Sequence, residues 1–336
     1  MGSCAAKVIV WIHSDGAEAF SLSGSEPRSV QKFLDTPIQT GSIDEQRRDS
    51  AADLVPGLLE MLGVSPRTRC LVIYDTKTAI AELSDGHPTL AAAERSVRVS
   101  AVGRVDPSGG VSSDVRSMAA GVARGTGYRA ICIAESTEVV DRLSGTLGAG
   151  GVKVVGLVPC RGWALAAAVR AGSGRNDDRP TAHLVLNRDS AGISAWANGE
   201  PVFARPLEMG YGQLVAGLAR GASRSSIRMD EVSETALGAA ERGWDLVARA
   251  RRSLFSGGIP ERDAPLTGFV GLQGRDVLPA LQPVLQRLVI EVRQTLRFGT
   301  IDDNLAPRRL WLHGAGARIP GLADVLSETL DMPVEP

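Results

Sequence analysis

No lysine follows Lys153 in this chain of 336 residues, although arginines continue as far as Arg318. A phosphate clamp built on a lysine ammonium is therefore excluded from the second half. Cysteine is scarce: Cys4, Cys70, Cys132 and Cys160 stand far apart, three of them in or beside apolar runs. Such residues read as small core side chains in a reducing compartment rather than as disulfides or metal ligands. His13, His87, His183 and His313 lack the spacing that puts two imidazoles on one helical face. No Gly-x-Ser-x-Gly elbow and no His-x-x-x-His pair occurs, which removes the common hydrolase and zinc-enzyme readings. Gly121 to Gly127 imitates a phosphate loop only in its glycines, with no strand before it and no Lys-Ser/Thr after it. Net charge is −1, so nothing electrostatic points to nucleic acid or an anionic membrane as the main partner. No stretch approaches the ~20 apolar residues of a membrane span, and no secretory signal opens the chain. A cytoplasmic location follows, peripheral to the inner membrane only through partners.

What is present is a soluble, globular composition, 43% hydrophobic and 22% charged, long enough for two domains with their own cores. Lys7 to Ile12 and Ala17 to Leu22 flank His13-Ser14-Asp15-Gly16 and predict an opening hairpin. Gly41 to Gly63 carries Leu54, Leu58, Leu59 and Leu62 on one helical face, with Pro56 marking a kink or a later start. Cys70 to Tyr74 and Thr78 to Leu83 predict a strand and its hairpin partner, and Leu90 to Arg95 a short helix. Ser100 to Gly127, rich in Gly and Ser, carries no assignment. Arg129 to Ala134, a helix capped by Glu135-Ser136-Thr137, Val152 to Leu157 and a helix over Gly162 to Val169 predict an α/β crossover unit. The polar run AGSGRNDDRP, Ala171 to Pro180, reads as the linker between halves.

The second half opens with TAHLVLNRDSAGISAWANGEPVFARPLEMGYGQ, Thr181 to Gln213. Leu184 to Leu186 predicts a buried strand, Arg188 to Gly192 a turn, Ile193 to Ala197 a returning strand, and Asn198-Gly199 a second, type I′ turn. Pro201 to Arg205 makes a third strand, and a helix begins near Gln213. Helices are further predicted over Leu214 to Ala219, Asp230 to Leu254 and Val284 to Phe298. Arg249, Arg251 and Arg252 read as a solvated basic face. Leu310 to Leu312 is a strand, His313 to Ala317 a tight loop, and Pro320 to Leu330 the closing helix.

GISAWANGEPVFARPLEMGYGQL, AESTEVVDRLSGTLGAGGVKVVGLVPCRGWALAAAVR and LWLHGAGARIPGLADVLSETLDMPVE resemble, in order and spacing, the corresponding segments of PilM-type proteins. These are actin-like cytoplasmic components of type IV pilus assembly platforms. The resemblance implies an α/β, two-lobed actin-like (ribonuclease H-like) fold. Its first lobe would span residues 1–175 with a small α/β subdomain inserted at about 64–128, and its second lobe 181–336. It also implies three elements around a nucleotide: Asp15 and Gly16 in the first hairpin, Asp189, Ser190 and Gly192 in the second, and Gly314, Ala315 and Gly316 beside an adenosine.

Aligned to that pattern, Val185 stands where the metal-organising Asp belongs and Asn187 where a glycine belongs. Phosphoryl transfer depends on positioning and electrostatics, so without two aimed carboxylates hydrolysis is disfavoured. ATP with Mg is the only cofactor the resemblance implies, with binding weak or lost. Implied partners are the short cytoplasmic tail of a single-span inner-membrane pilus or secretion protein, a secretion-type motor ATPase, and further copies in a ring. The tail would lie between the first hairpin and the region Cys70 to Val99. The alternative is an active ATPase or sugar-kinase-like phosphotransferase using Asp15 and Asp189 as metal carboxylates. An unrelated α/β binding protein is the third reading.

Overall fold

A computed structural model describes residues 7–13, 16–21, 28–33, 50–76, 78–105, 110–119, 127–160, 180–197, 200–227, 236–299 and 306–336. Asp15, the Asn198-Gly199 turn, Gly162 to Val169 and nearly all of the 171–180 linker lie outside them. The chain divides into two compact units, Met1–Ala171 with Ala204–Pro206, and Gly172–Phe203 with Leu207–Pro336.

In the first unit, β1 (Val8–His13), β2 (Gly16–Ser21) and β3 (Arg28–Phe33) form an antiparallel meander. β1 then pairs in parallel with β4 (Arg69–Tyr74), and β4 with β8 (Lys153–Pro159), giving the order β3-β2-β1-β4-β8. Alternation decides the buried face: Val8, Val10 and Ile12 pack with Val72 against Leu58 and Leu59 of α1 (Val55–Met61) and Leu143 and Leu147 of α3 (Thr137–Ala149). Pro56 sits in the first turn of α1, where its missing N–H costs nothing; it marks the later start rather than a kink.

A separate three-stranded sheet, order β5-β7-β6, is built from β5 (Ile80–His87), β6 (Val111–Ala119) and β7 (Tyr128–Ser136), with α2 (Leu90–Val105) on one face. This corrects four expectations. β4 and β5 form no hairpin, because the apolar β4 is a buried parallel strand between β1 and β8 while β5 pairs with β7. For the same reason the inserted sheet and helix occupy 80–136, not about 64–128. β7 and β8 lie in different sheets, so the crossover runs from β4 to β8 through α3, interrupted by the insertion. The short helix at Leu90 continues to Val105 because Val97 and Ala101 reach the small core, and the unassigned stretch after it contains β6.

Both passages between the two sheets meet at one carboxylate. Glu135, 2% exposed, accepts hydrogen bonds from Thr76 Oγ1 (2.7 Å), Thr78 Oγ1 (2.7 Å) and the Ser136 N–H (2.9 Å). Thr76 and Thr78 leave β4 for β5, while Glu135 and Ser136 leave β7 for α3. Ser136 does occupy the N-cap of α3, but its side chain makes no capping bond.

The second unit repeats the first sheet. β9 (Thr181–Leu186), β10 (Ala191–Ala197) and β11 (Glu200–Leu207) form the meander, β12 (Leu310–His313) pairs in parallel with β9, and β13 (Val334–Glu335) with β12. The order β11-β10-β9-β12-β13 matches that of the first sheet, strand for strand. Ala182, Leu184 and Leu186 face a core made with α4 (Tyr211–Ile227), α5 (Ala236–Gly257), α6 (Gly274–Gly299) and α7 (Leu322–Leu330). α6 starts ten residues earlier than its amphipathic stripe predicts and runs through Pro279 and Pro283, with Asp276 Oδ2 accepting from the Gln273 N–H at its start (2.8 Å).

Glu135→Ala leaves the buried Thr76 hydroxyl, the exposed Thr78 hydroxyl and the partly buried Ser136 N–H without their acceptor and should destabilise the protein by about 2 kcal/mol. Hydrogen exchange should then quicken across residues 80–136 more than across β1 and β9.

Candidate functional site

The second unit gathers three sequence-predicted segments around Asn187. The hairpin register is unslipped, Leu186 opposite Ala191 and Val185 opposite Gly192. The Asn187 N–H donates to Ser190 O (2.9 Å), closing a turn with Arg188 and Asp189 at its tip. Neither tip residue has positive φ, so the primed geometries that need it do not apply to this turn. Arg188 Nε lies 3.8 Å from Asp189 Oδ1, a partly exposed pair worth little in stability.

The turn points its carbonyls at a helix. Asn187 O accepts from the Tyr211 N–H and Arg188 O from the Gly212 N–H, both at 2.8 Å. These are among the first N–H groups of α4, so two donors that a helix start could offer an anion are spent within the chain. The approach is close: a Cβ on Gly210 would lie 2.2 Å from Arg188 O and 2.4 Å from Asn187 O. The helix, expected from near Gln213, begins at Tyr211, tied to the turn by those same bonds.

The glycine loop after β12 closes on the same node. Gly314 has φ +83°, and a Cβ there would lie 2.7 Å from Leu186 O and 2.8 Å from Asn187 Oδ1. A Cβ on Gly316 would fall 2.7 Å from the Leu186 side chain. The space these glycines open is therefore filled by β9 and its turn on that side. The tight loop expected over His313 to Ala317 is wound into a 3-10 turn, Ala315–Arg318. Of the predicted site residues, Asp189, Ser190, Gly192, Gly314, Ala315 and Gly316 belong to this one neighbourhood. Gly16 opens β2 in the first unit.

Sequence reading missed Gly210, Gly212 and a histidine pair. Trp311 stands opposite His183 and His313 opposite Val185 in the β12–β9 ladder, so both imidazoles project from the sheet face opposite the helical core. His183 Nδ1 is 3.0 Å from His313 Nε2, and the rings stack with 4° between planes. Thr181 Oγ1 lies 3.4 Å from His183 Nε2. Ser194, opposite His183 in β10, is fully buried on the same face. Burial pushes His183 from 6.5 down to about 4, with the neighbouring His313 adding to the shift, and burial lowers His313 too. A single N–H···N bond fits two neutral rings; the alternation of β9 was the one sequence hint to it.

For Val185 the unslipped register has a chemical meaning. It is 1% exposed and beside His313, an apolar side chain where a cation would need carboxylate oxygen. Among the described residues no group of three or more His, Cys, Asp or Glu is placed to hold a metal.

Gly210→Ala should cost about 3 kcal/mol or more, because two carbonyl oxygens occupy the methyl position; chemical denaturation measures it. Stability should also fall as pH drops from 6.5 toward about 4, where the unfolded imidazole of His183 binds a proton and the folded one does not. Replacing both histidines by Gln should flatten that slope in denaturation curves taken across the range.

No protein-family model matches the chain, and no curated protein matches it. Solved structures do. A chain of the PilM-PilN type IV pilus biogenesis complex matches with a TM-score of 0.70 at 20% identity, over 99% of this chain and 88% of that one. Ethanolamine utilization protein EutJ from Carboxydothermus hydrogenoformans matches with a TM-score of 0.51 at 12% identity, over 98% and 83%. With two five-stranded sheets of identical order and one inserted sheet, this chain has the actin-like α/β fold of PilM.

Proposed function

We propose that this protein is a non-catalytic, actin-like adaptor of a type IV pilus or type II secretion-like assembly platform. It takes the short cytoplasmic tail of a single-span inner-membrane protein and connects it to the motor ATPase, working in several copies. The observation that carries the reading is the end-to-end likeness to a structure described as a PilM-PilN complex. Support for binding rather than turnover comes from the site. Val185 replaces a carboxylate, the α4 donors are consumed by Asn187 and Arg188, and the Gly314 and Gly316 clearance is filled from β9. β5 and β6 are the outer strands of the inserted sheet, and an extended tail adds most simply along such a ladder.

Calorimetric titration with a peptide of the cytoplasmic tail of a single-span inner-membrane pilus protein should give saturable binding at about 1 μM, or roughly −8 kcal/mol. Absence of heat and of any competing fluorescence change would remove the adaptor reading. In the same buffer Mg·ATP at millimolar concentration should leave the melting temperature unchanged. A ligand at a hundred times its Kd adds about 2.7 kcal/mol, so a clear Mg-dependent rise would favour the phosphotransferase alternative.

A further inference from the structure

β1, β4 and β8 run parallel, so their first residues stand side by side at the end of the first sheet away from the β1–β2 turn. Those residues are basic. The Lys7 N–H donates to Arg69 O (2.9 Å), and Arg69 stands opposite Lys153 in the β4–β8 ladder. The Lys153 N–H donates to Pro66 O (3.1 Å), which brings Arg67 to the same place. The turn that delivers Arg67 is closed on Ser65, whose backbone oxygen accepts from the Thr68 N–H (2.8 Å) and whose Oγ accepts from the Arg67 N–H (3.2 Å). With about 4.8 Å between neighbouring strands, the three strand starts fall within about 10 Å of one another.

Lys7, Arg67 and Lys153 are exposed, and Arg69 is half-buried between them. Among the described residues, none of those three exposed cations has an acidic side chain within ion-pair reach. The nearest acid along the chain before Arg67 is Glu60, a single exposed carboxylate in the last turn of α1. Glu26 and Arg28, at the β2–β3 connection, are one charge of each sign. The whole chain carries −1, so the excess of positive charge belongs to this end of the sheet and not to the protein at large. Like charges gathered this way repel one another, and the carboxylates of a partner relieve that repulsion.

The surroundings select the kind of anion. A lipid layer rewards apolar side chains that insert beside the cations. Here the residues leading into Arg67 and Lys153 include Gly63, Ser65, Gly150 and Gly151, all small and exposed. Among the described residues the first unit's exposed large apolar side chains, Met61, Leu90 and Val99, belong to helices and not to the strand starts. Small residues let another backbone approach closely, and about four residues of extended chain span the row of cations. We infer that this end of the first sheet binds an acidic, extended segment of a protein partner, with its carboxylates on Lys7, Arg67 and Lys153. This contact is separate from the tail proposed for the inserted sheet and does not depend on it.

Fluorescence anisotropy of a labelled octaglutamate peptide titrated with the purified full chain tests it, with octaglutamine as the uncharged control. The expected result is saturable binding of octaglutamate that is lost at raised salt, and no binding of octaglutamine. Arg67→Glu and Lys153→Glu should each weaken binding about fivefold or more, whereas Arg252→Glu, at an exposed arginine of the second unit, should leave it unchanged. All three side chains are too exposed for their replacement to unfold the chain, and unchanged melting of each variant verifies that. No binding, equal binding of both peptides, or an equal loss in the Arg252 variant would overturn the inference. So would sedimentation of the chain with anionic vesicles, abolished by Lys153→Glu, while the peptide stays unbound.

Discussion

Each five-stranded sheet depends on the parallel ladder between its first and fourth strands, β1 with β4 and β9 with β12. A parallel pair brings both strands out at the same end, so the hairpin turn after the first strand and the segment after the fourth become neighbours without sequence proximity. In the first unit this puts the Asp75 N–H on Ile12 O (2.8 Å), beside the β1–β2 turn. In the second it brings His313 and Gly314 against Val185, Leu186 and Asn187. That pairing fixes turn and glycine loop relative to one another, and the Tyr211 and Gly212 N–H bonds to the turn add the helix start.

Locally encoded features could be read from the sequence. The apolar run at Leu184 to Leu186 and the stripe from Leu285 to Leu296 bury where alternation and helical period place them. What escaped was set at a distance. β6, VSSDVRSMA, has too few apolar residues to announce a strand and becomes one by pairing with β7 along its length. β5 looked like the partner of β4 because it follows closely, yet its ladder is with a strand some fifty residues later. The histidines, 130 residues apart, meet only through the β9–β12 register. Glu135 resembled part of a helix cap, and its role came from two threonines on the other passage between sheets.

The chemistry of the second unit is that of a site turned inward. Two backbone N–H groups that could face an anion are bonded to the chain itself, and Gly210, Gly314 and Gly316 are needed because carbonyls or the Leu186 side chain already fill the space. The ladders and the cores of both units are made from the chain's own strands and apolar side chains. The buried histidines, both held below the usual imidazole range, add no charge to that face of the sheet at neutral pH.

The insertion of a complete small sheet between β4 and α3 has a consequence for how such a chain can change over generations. Its entrance and exit share one doorway, latched by Glu135, and the host strands run on uninterrupted behind it. Residues inside the cassette can therefore drift, or the cassette be exchanged outright, without retraining the framework that carries it. Novelty accumulates in the graft, and the rootstock stays the same.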